Sequence, residues 1–382
     1  MEDHSMITGE NLRRGYTTGT CAAAATKAAV SLLLAPGIDP SPVTVITPKG
    51  IPITIPLEKI RLEGNSAICV VKKNSGDDPD VTNQVLVYGK ATLLGGNLGE
   101  IIIDGGKGIG RVTKPGLACN IGEAAINPTP RKMIREETIK LAKEFSYKGS
   151  IAIEISIPAG VELAKKTFNP KLGIVGGISI LGTSGIVEPM SDQALIDTIK
   201  VEMNMRKAAG AEYLLLTPGN YGERFLAENT NMESFYSVKC SNFIGDSLDY
   251  GKEQEFKGIL LVGHIGKLIK IAGGAMNTHS KYGDRRMELL AQHCKKIHST
   301  DEVIKRLEEC VTTEDAVALL KSYSIEEKVI SSVLSEIEKK LNEYVNNQME
   351  IGVIMYSNFH GYLGESANAK SLIGKIKEEK DV

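Results

Sequence analysis

The chain has 382 residues, 42% of them apolar and 24% charged, with a formal net charge of −2. That length predicts two domains at roughly 100–200 residues each, and the composition excludes a disordered or fibrous chain. Trp is absent and aromatic residues make up 5%, which disfavours a base-stacking nucleic-acid platform. Residues 300–382 carry 10 Lys/Arg against 16 Asp/Glu, so a basic site for an acidic ligand is expected within the first 299.

The N-terminus lacks the apolar stretch of a signal peptide, and no run of about 18 apolar residues predicts a membrane span. Cys21, Cys69, Cys119, Cys240, Cys294 and Cys310 form no C-x-x-C pair, the pattern of a reduced, cytoplasmic protein. Thr17 or Thr18 is expected to cap a helix through CAAAATKAAVSLLL that Ala35-Pro36-Gly37 ends. Short β-like runs follow at 43–48, 51–56, 66–73 and 100–104, punctuated by Pro and Gly. A second helix is predicted from Thr129, with Pro130 at its first position, to about Phe145. Residues 1–150 thus read as a mixed α+β domain.

From about 151 the rhythm changes. Apolar runs at 150–158, 174–181, 212–218, 234–240 and 258–263 alternate with helical segments and lack period-2 polarity. Strands covered on both faces read this way, so residues 151–365 are expected to form a doubly wound, mostly parallel, Rossmann-like sheet. Its helical segment spans 284–347 and includes a capping box from Ser324 to Glu327. A last strand at 349–356 returns to the sheet, and the charged tail, 366–382, is expected to fray.

Four of these runs end in Gly-rich or small polar turns: Gly182-Thr183-Ser184-Gly185, Pro218-Gly219-Asn220, Ser241 to Gly245, and Gly263-His264 to Lys267. Ligands of open parallel sheets bind beyond the carboxyl ends of the strands, where glycine admits them to backbone N–H groups and helix N-termini add positive charge. The turns are therefore candidates for one wall of a nucleotide-like cofactor site. No G-x-G-x-x-G follows a strand and no acid ends the second strand, which disfavours a standard dinucleotide dehydrogenase.

Cations mark the candidate anion sites. Arg13 and Arg14 precede the hydroxyls of Thr17 and Thr18 at a helix start, an arrangement that suits a carboxylate or phosphate. The run Asp104 to Gly110 contains Lys107, and Arg111-Val-Thr-Lys114-Pro follows it instead of a helix; a hairpin turn and a substrate-contacting loop both fit. Arg131, Lys132 and Arg135 crowd the start of the second helix, where the dipole disfavours cations. The run from Thr278 through His279 and Arg285 to Glu288 is dense in polar groups and reads as a ligand-facing loop entering a helix. The histidines at 264, 279, 293, 298 and 360 match no metal-ligand spacing.

The segments RRGYTTGTCAAAA, GKGIGRVTKPGL, INPTPRKMI, NPKLGIVGGISILGTSGIVEPMS, PGNYG, SNFIGDSLDY, GHIGKLIKIAGG and NTHSKYGDRRME stand in one order over about residues 10–365. Together they resemble the cobalt-precorrin-5B C1-methyltransferase (CbiD) family of anaerobic cobalamin biosynthesis. Gly283 stands where Ala is usual, and Arg286 is a less familiar neighbour of Arg285. The resemblance implies an S-adenosylmethionine-dependent methylation of carbon 1 of cobalt-precorrin-5B, giving cobalt-precorrin-6A. The cobalt is carried by the substrate, so no metal site in the protein is implied, and no catalytic residue is assigned.

The substrate implied in this way is a polycarboxylate, for which Arg13, Arg14, Lys107, Arg111, Lys114, Arg131 and Arg285 are the available clamps. The turns at 182–185 and 218–220 are expected to hold the cofactor while the N-terminal domain presents the tetrapyrrole. On that expectation, Gly185→Trp abolishes cofactor binding and leaves the fold intact. A nicotinamide-dependent tetrapyrrole reductase and a non-catalytic corrinoid-binding protein remain the competing classes. Neither nucleic acid nor membrane is expected as a partner, and a homo-oligomer is compatible with the reading.

Overall fold

In this computed structural model, which describes residues 12–96, 99–229 and 237–379, the Ala-rich segment forms helix α1 (Thr18–Leu34), capped by the Thr17 side chain. Cys21 to Ala25, Ala28, Ala29 and Val30 are fully buried. Small residues let the helix backbone lie directly on the sheet beneath it. That sheet contains β1 (Leu57–Glu63), β2 (Ser66–Lys72), β3 (Leu86–Gly95), β4 (Ile101–Gly105) and β5 (Ser150–Ser156), in the order β1-β2-β3-β5-β4. Only β5 and β4 pair in parallel. In β5, Ile151, Ile153 and Ile155 are buried, while Ala152 and Glu154 between them point to the other face. Helix α2 (Pro128–Glu144) packs beside α1: a Cβ on Gly19 would come within 2.7 Å of Pro130.

The chain divides into two compact units, residues 1–191 and 192–382. The change of rhythm at 151 is therefore not the division: β5, which follows it, is an inner strand of the first unit's sheet. The run 174–181, expected as a strand of the second sheet, also stays in the first unit. Gly176 has φ +85° and interrupts it. Two-residue bridges result, from Ile174–Val175 to Arg111–Val112 and from Gly177–Ile178 to Gly108–Ile109.

The second unit begins with α3 (Asp192–Ala208) and continues through β6 (Tyr213–Thr217), α4 (Asn220–Asn229), β7 (Ser237–Lys239), α5 (Ile244–Glu253), β8 (Gly258–His264) and α6 (Ile265–Ala272). Helices α7 (Arg286–Lys296), α8 (Asp301–Glu308), α9 (Thr313–Ser322) and α10 (Glu326–Tyr344) lead to β9 (Glu350–Ser357), β10 (Gly361–Glu365) and α11 (Ala369–Glu378). The sheet order is β7-β6-β8-β9-β10, parallel except for β10. On one face, Leu215, Leu260, Val262 and Ile354 pack with Phe225, Leu226 and Leu372 from α4 and α11. On the other, Leu214, Leu216, Ile259, Leu261 and Val353 pack with residues of α3, α5, α6, α7 and α10. Burial on both faces is why these strands read as apolar runs.

Three local expectations are overturned. Helix α2 starts one residue earlier than expected: Asn127 is its N-cap and Pro128, not Pro130, its first residue. The capping box at Ser324 is absent: Ser324 has φ +56°, and α10 starts after Ile325 with no side-chain cap. The tail is not frayed over 366–379. Ala369 and Leu372 of α11 are fully buried, and the Glu379 carboxylate accepts from the N–H groups of Glu212 and Tyr213 at 2.8 and 3.1 Å. Residues 234–236 of the run before β7 lie outside the described residues. No helix among the described residues is long and apolar enough to cross a membrane.

Candidate active site

After β6 the chain turns to one face of the second sheet through α4, and after β8 to the other through α6. The two connections part beyond the carboxyl ends of β6 and β8, the position of a ligand crevice in such sheets. Thr217 closes β6. It is fully buried, and its Oγ1 has no hydrogen-bond partner among the described residues, although a buried hydroxyl normally finds one. Pro218 is buried, and Gly219 has φ +145° with nothing within 4 Å of a would-be Cβ. Asn220 opens α4. Gly263 differs: a Cβ there would lie 2.9 Å from Leu268 and 3.0 Å from Pro218, so its small size serves the packing of the turn.

His264 is the N-cap of α6. Its Nδ1 accepts from the Gly266 N–H at 3.0 Å, which leaves the proton on Nε2, and Nε2 donates to Glu314 Oε1 at 2.7 Å. The other Glu314 oxygen takes the Ser357 hydroxyl. His360 Nε2 donates to the Glu314 main-chain carbonyl at 3.2 Å, and the Tyr356 ring meets His264 edge-on at 5.8 Å. Burial pushes the Glu314 carboxyl up, but the hydrogen bonds from Ser357 and His264 outweigh it and hold the group below the usual carboxylate range. This hub ties the ends of β8 and β9 to α9. A carboxylate engaged at both oxygens braces the crevice wall and is not a free base.

The loop that follows is a surface network. His279 Nδ1 accepts from the Lys281 N–H at 3.0 Å, and Arg285 Nε donates to Glu288 at 2.9 Å. A separate recess between α8 and α9, lined by Arg306, Glu309, Cys310, Asp315 and Ser322, shares none of these side chains.

The other sequence-selected residues lie in the first unit. Gly182, Thr183, Ser184 and Gly185 are among them and do not end a strand of the second sheet. Their loop covers the start of α1: Gly19 N–H and Thr18 Oγ1 donate to the Leu181 carbonyl at 2.8 and 3.2 Å, and Thr20 Oγ1 donates to Gly185 O at 2.7 Å. Thr17 N–H also reaches Gly185 O, at 3.1 Å. The helix start is thus satisfied by its own chain, with Thr17 as the cap. Ser184 Oγ accepts from the Ile186 N–H, and Thr183 is exposed. A Cβ on Gly185, at φ +78°, would meet Thr47 at 2.8 Å and Pro48 at 2.9 Å. Gly185→Trp would therefore disrupt the fold and cannot serve as a selective cofactor test.

The cations divide. Arg13 forks onto Asp77 at 3.1 and 2.9 Å. Arg14 bridges to Gly76 through its backbone, and its guanidinium stands 4.0 Å from Glu188. Arg111 grips Asp104 at 2.7 and 2.9 Å and the Gly105 carbonyl at 2.9 Å. Arg131 donates to the carbonyls of Ile126, Ile103 and Ala124 at 2.8, 3.0 and 3.1 Å, joining the start of α2 to the end of β4. Lys107 and Lys114 are exposed. The glycines around Lys107 are packed: a Cβ on Gly108 would fall 1.8 Å from the Ile157 carbonyl oxygen, the geometry of a tight turn.

Sequence reasoning missed Thr217, Glu314 and Ser357, and weighed His360 only as a metal ligand. Glu314 lies 50 residues from His264, and no local pattern connects the two. The sequence singles out the end of β6 only through the Pro218-Gly219-Asn220 turn, which begins one residue beyond Thr217.

Comparison with known proteins places the chain. The CbiD family matches residues 6–189, and the family described as CbiD, C-terminal domain, matches residues 277–367. A cobalt-precorrin-5B C(1)-methyltransferase of Ruminiclostridium cellulolyticum is 45% identical over 387 residues, covering 100% of both chains. One from Alkaliphilus metalliredigens is 42% identical over 99% of each. The crystal structure of a cobalamin biosynthesis protein (cbiD) from Archaeoglobus fulgidus is 30% identical and covers 72% of this chain and 84% of that one, with a TM-score of 0.39. With identity at this level running from end to end, the chain belongs to the CbiD family.

Proposed function

We propose that this chain is a cobalt-precorrin-5B C(1)-methyltransferase that uses S-adenosylmethionine as donor. The observation that carries the reading is the full-length 45% identity to a relative of that name. The second sheet is read as doubly wound and Rossmann-like, a reading supported by the order β7-β6-β8-β9 and by helices on both faces.

The end of β6 suits a nucleoside-type donor on two counts: the unpartnered buried hydroxyl of Thr217 and the open approach at Gly219. Thr217, Gly219 and the turn at His264 would hold it. When bound, the donor would supply a methyl group activated as a sulfonium. The protein's work is then alignment, worth roughly 7–11 kcal/mol of a barrier when reacting atoms are held in line. The Glu314 hub contributes rigidity to that wall. In the first unit, the exposed Lys107 and Lys114 are the residues proposed to engage carboxylates of the ring; Arg13, Arg111 and Arg131 already have internal partners.

Incubation of the chain with the donor and cobalt-precorrin-5B should add one methyl group to the corrinoid, read by mass spectrometry; no gain overturns the reading. Thr217→Val tests the donor site. Removing an orphaned hydroxyl leaves folding stability unchanged or raises it by about 1 kcal/mol, while affinity for S-adenosylhomocysteine falls roughly fivefold or more. Full affinity in the variant would place the donor elsewhere.

A further inference from the structure

Beside the crevice, the end of β7 and helix α6 bring two ammonium groups together. Lys267 and Lys270 stand at i and i+3 on α6 and so share a face. Lys267 Nζ donates to the Ser241 carbonyl at 3.4 Å, and Lys270 Nζ to the Thr278 carbonyl at 3.1 Å. Both side chains are half-buried. Their partners are neutral, and neither lysine forms an ion pair with an Asp or Glu among the described residues. Asp284 lies in electrostatic reach of Lys270 and is already paired with Arg286.

The floor between the lysines is built. Thr278 N–H donates to the Asn242 carbonyl at 3.0 Å, and Thr278 Oγ1 to Asn242 Oδ1 at 3.2 Å. Gly245 N–H donates to Met276 O at 2.9 Å, which ties the same two loops together. Ser241 is held at φ +51°, a left-handed conformation that a non-glycine residue keeps only where its surroundings impose it.

Burial and the neighbouring charges oppose the Lys267 ammonium. It lies in the first turn of α6, at the positive end of the dipole. Burial pushes its ammonium pKa down, and neighbouring Lys270 lowers it further. The Cys240 thiolate would offset this, but burial pushes that thiol up to about 12, so it is neutral at pH 7.

We propose that Lys267 and Lys270 form a seat for a ligand carboxylate at the carboxyl edge of the second sheet. The ligand's identity rests on the methyltransferase reading, which offers two sources of that chemistry: the amino-acid carboxylate of the donor and the acidic side chains of the corrinoid.

Calorimetry on the full chain separates them, with S-adenosylhomocysteine, its decarboxylated analogue and cobalt-precorrin-5B as probes. Lys267→Met and Lys270→Met should weaken one ligand about 10- to 100-fold, the range of a lost charge-assisted hydrogen bond, and Lys267→Arg should recover most of it. If the donor occupies the seat, S-adenosylhomocysteine loses affinity while the decarboxylated analogue binds wild type and variants alike. If the corrinoid occupies it, cobalt-precorrin-5B alone is weakened. In the wild-type protein, NMR of the lysine ε-methylene should show the Lys267 pKa rising on addition of the seated ligand, a readout that needs no variant. Undiminished binding of both ligands by both Met variants, or an unmoved Lys267 pKa at saturation, overturns the seat. A wild-type chain that binds neither ligand overturns the methyltransferase reading, and the seat with it.

Discussion

His293 shows what burial does to one residue here. Its side chain is 2% exposed, its Nδ1 lies 2.8 Å from Ser332 Oγ, and burial pushes its pKa from 6.5 down to about 4. The neutral ring is accommodated and the charged one is not. Between pH 4 and 6.5 the unfolded chain binds the proton that the folded chain refuses, so stability is complete above 6.5 and declines as pH falls through that window. The loss approaches about 3 kcal/mol. Urea denaturation from pH 7 to 4 should show that decline in the wild type and a shallower slope in His293→Gln; identical slopes would refute it. The same scale explains why charged residues mislead a sequence reader. Arg131 was selected as a substrate clamp, yet its guanidinium is engaged by three carbonyls of its own unit. A sequence states where a cation stands in the chain, and its partners come from segments up to 28 residues away.

Among elements, α1 and β3 define each other. A Cβ on Gly89 would lie 2.6 Å from the Ala25 carbonyl carbon and the Thr26 nitrogen. The Ala-rich helix was legible from its composition and its cap. Its reason, a backbone-to-backbone approach at one glycine, was not, because β3 itself escaped the reading. Gly89→Val should lower unfolding free energy by about 2 kcal/mol or more, since overpacking against backbone has no flexible neighbour to absorb it. An unchanged urea midpoint would show that α1 lifts off the strand at no cost. The run 174–181 is the opposite case: eight residues of strand-like composition become short isolated bridges because Gly176 turns the chain out of extended geometry.

On the scale of the whole molecule, the units are separated by which strands complete which sheet. β5 lies between β3 and β4, and the segment 174–187 supplies the loop that satisfies the start of α1. A fragment of residues 1–191 should therefore unfold cooperatively in urea, while residues 1–150, deprived of an inner strand, should show no cooperative transition. Cooperative unfolding of the shorter fragment would restore the boundary at 150. The sequence by itself determined the Thr17-capped start of α1, the apolar runs that became β6 and β8, and the family, because caps, hydropathy and ordered motifs are local and additive. The tertiary structure alone decided that the 182–185 turn closes α1, that Glu314 and Ser357 meet His264, and that Lys267 reaches the Ser241 carbonyl 26 residues away. Each of these depends on distances between residues far apart in the chain, and such distances are set by packing.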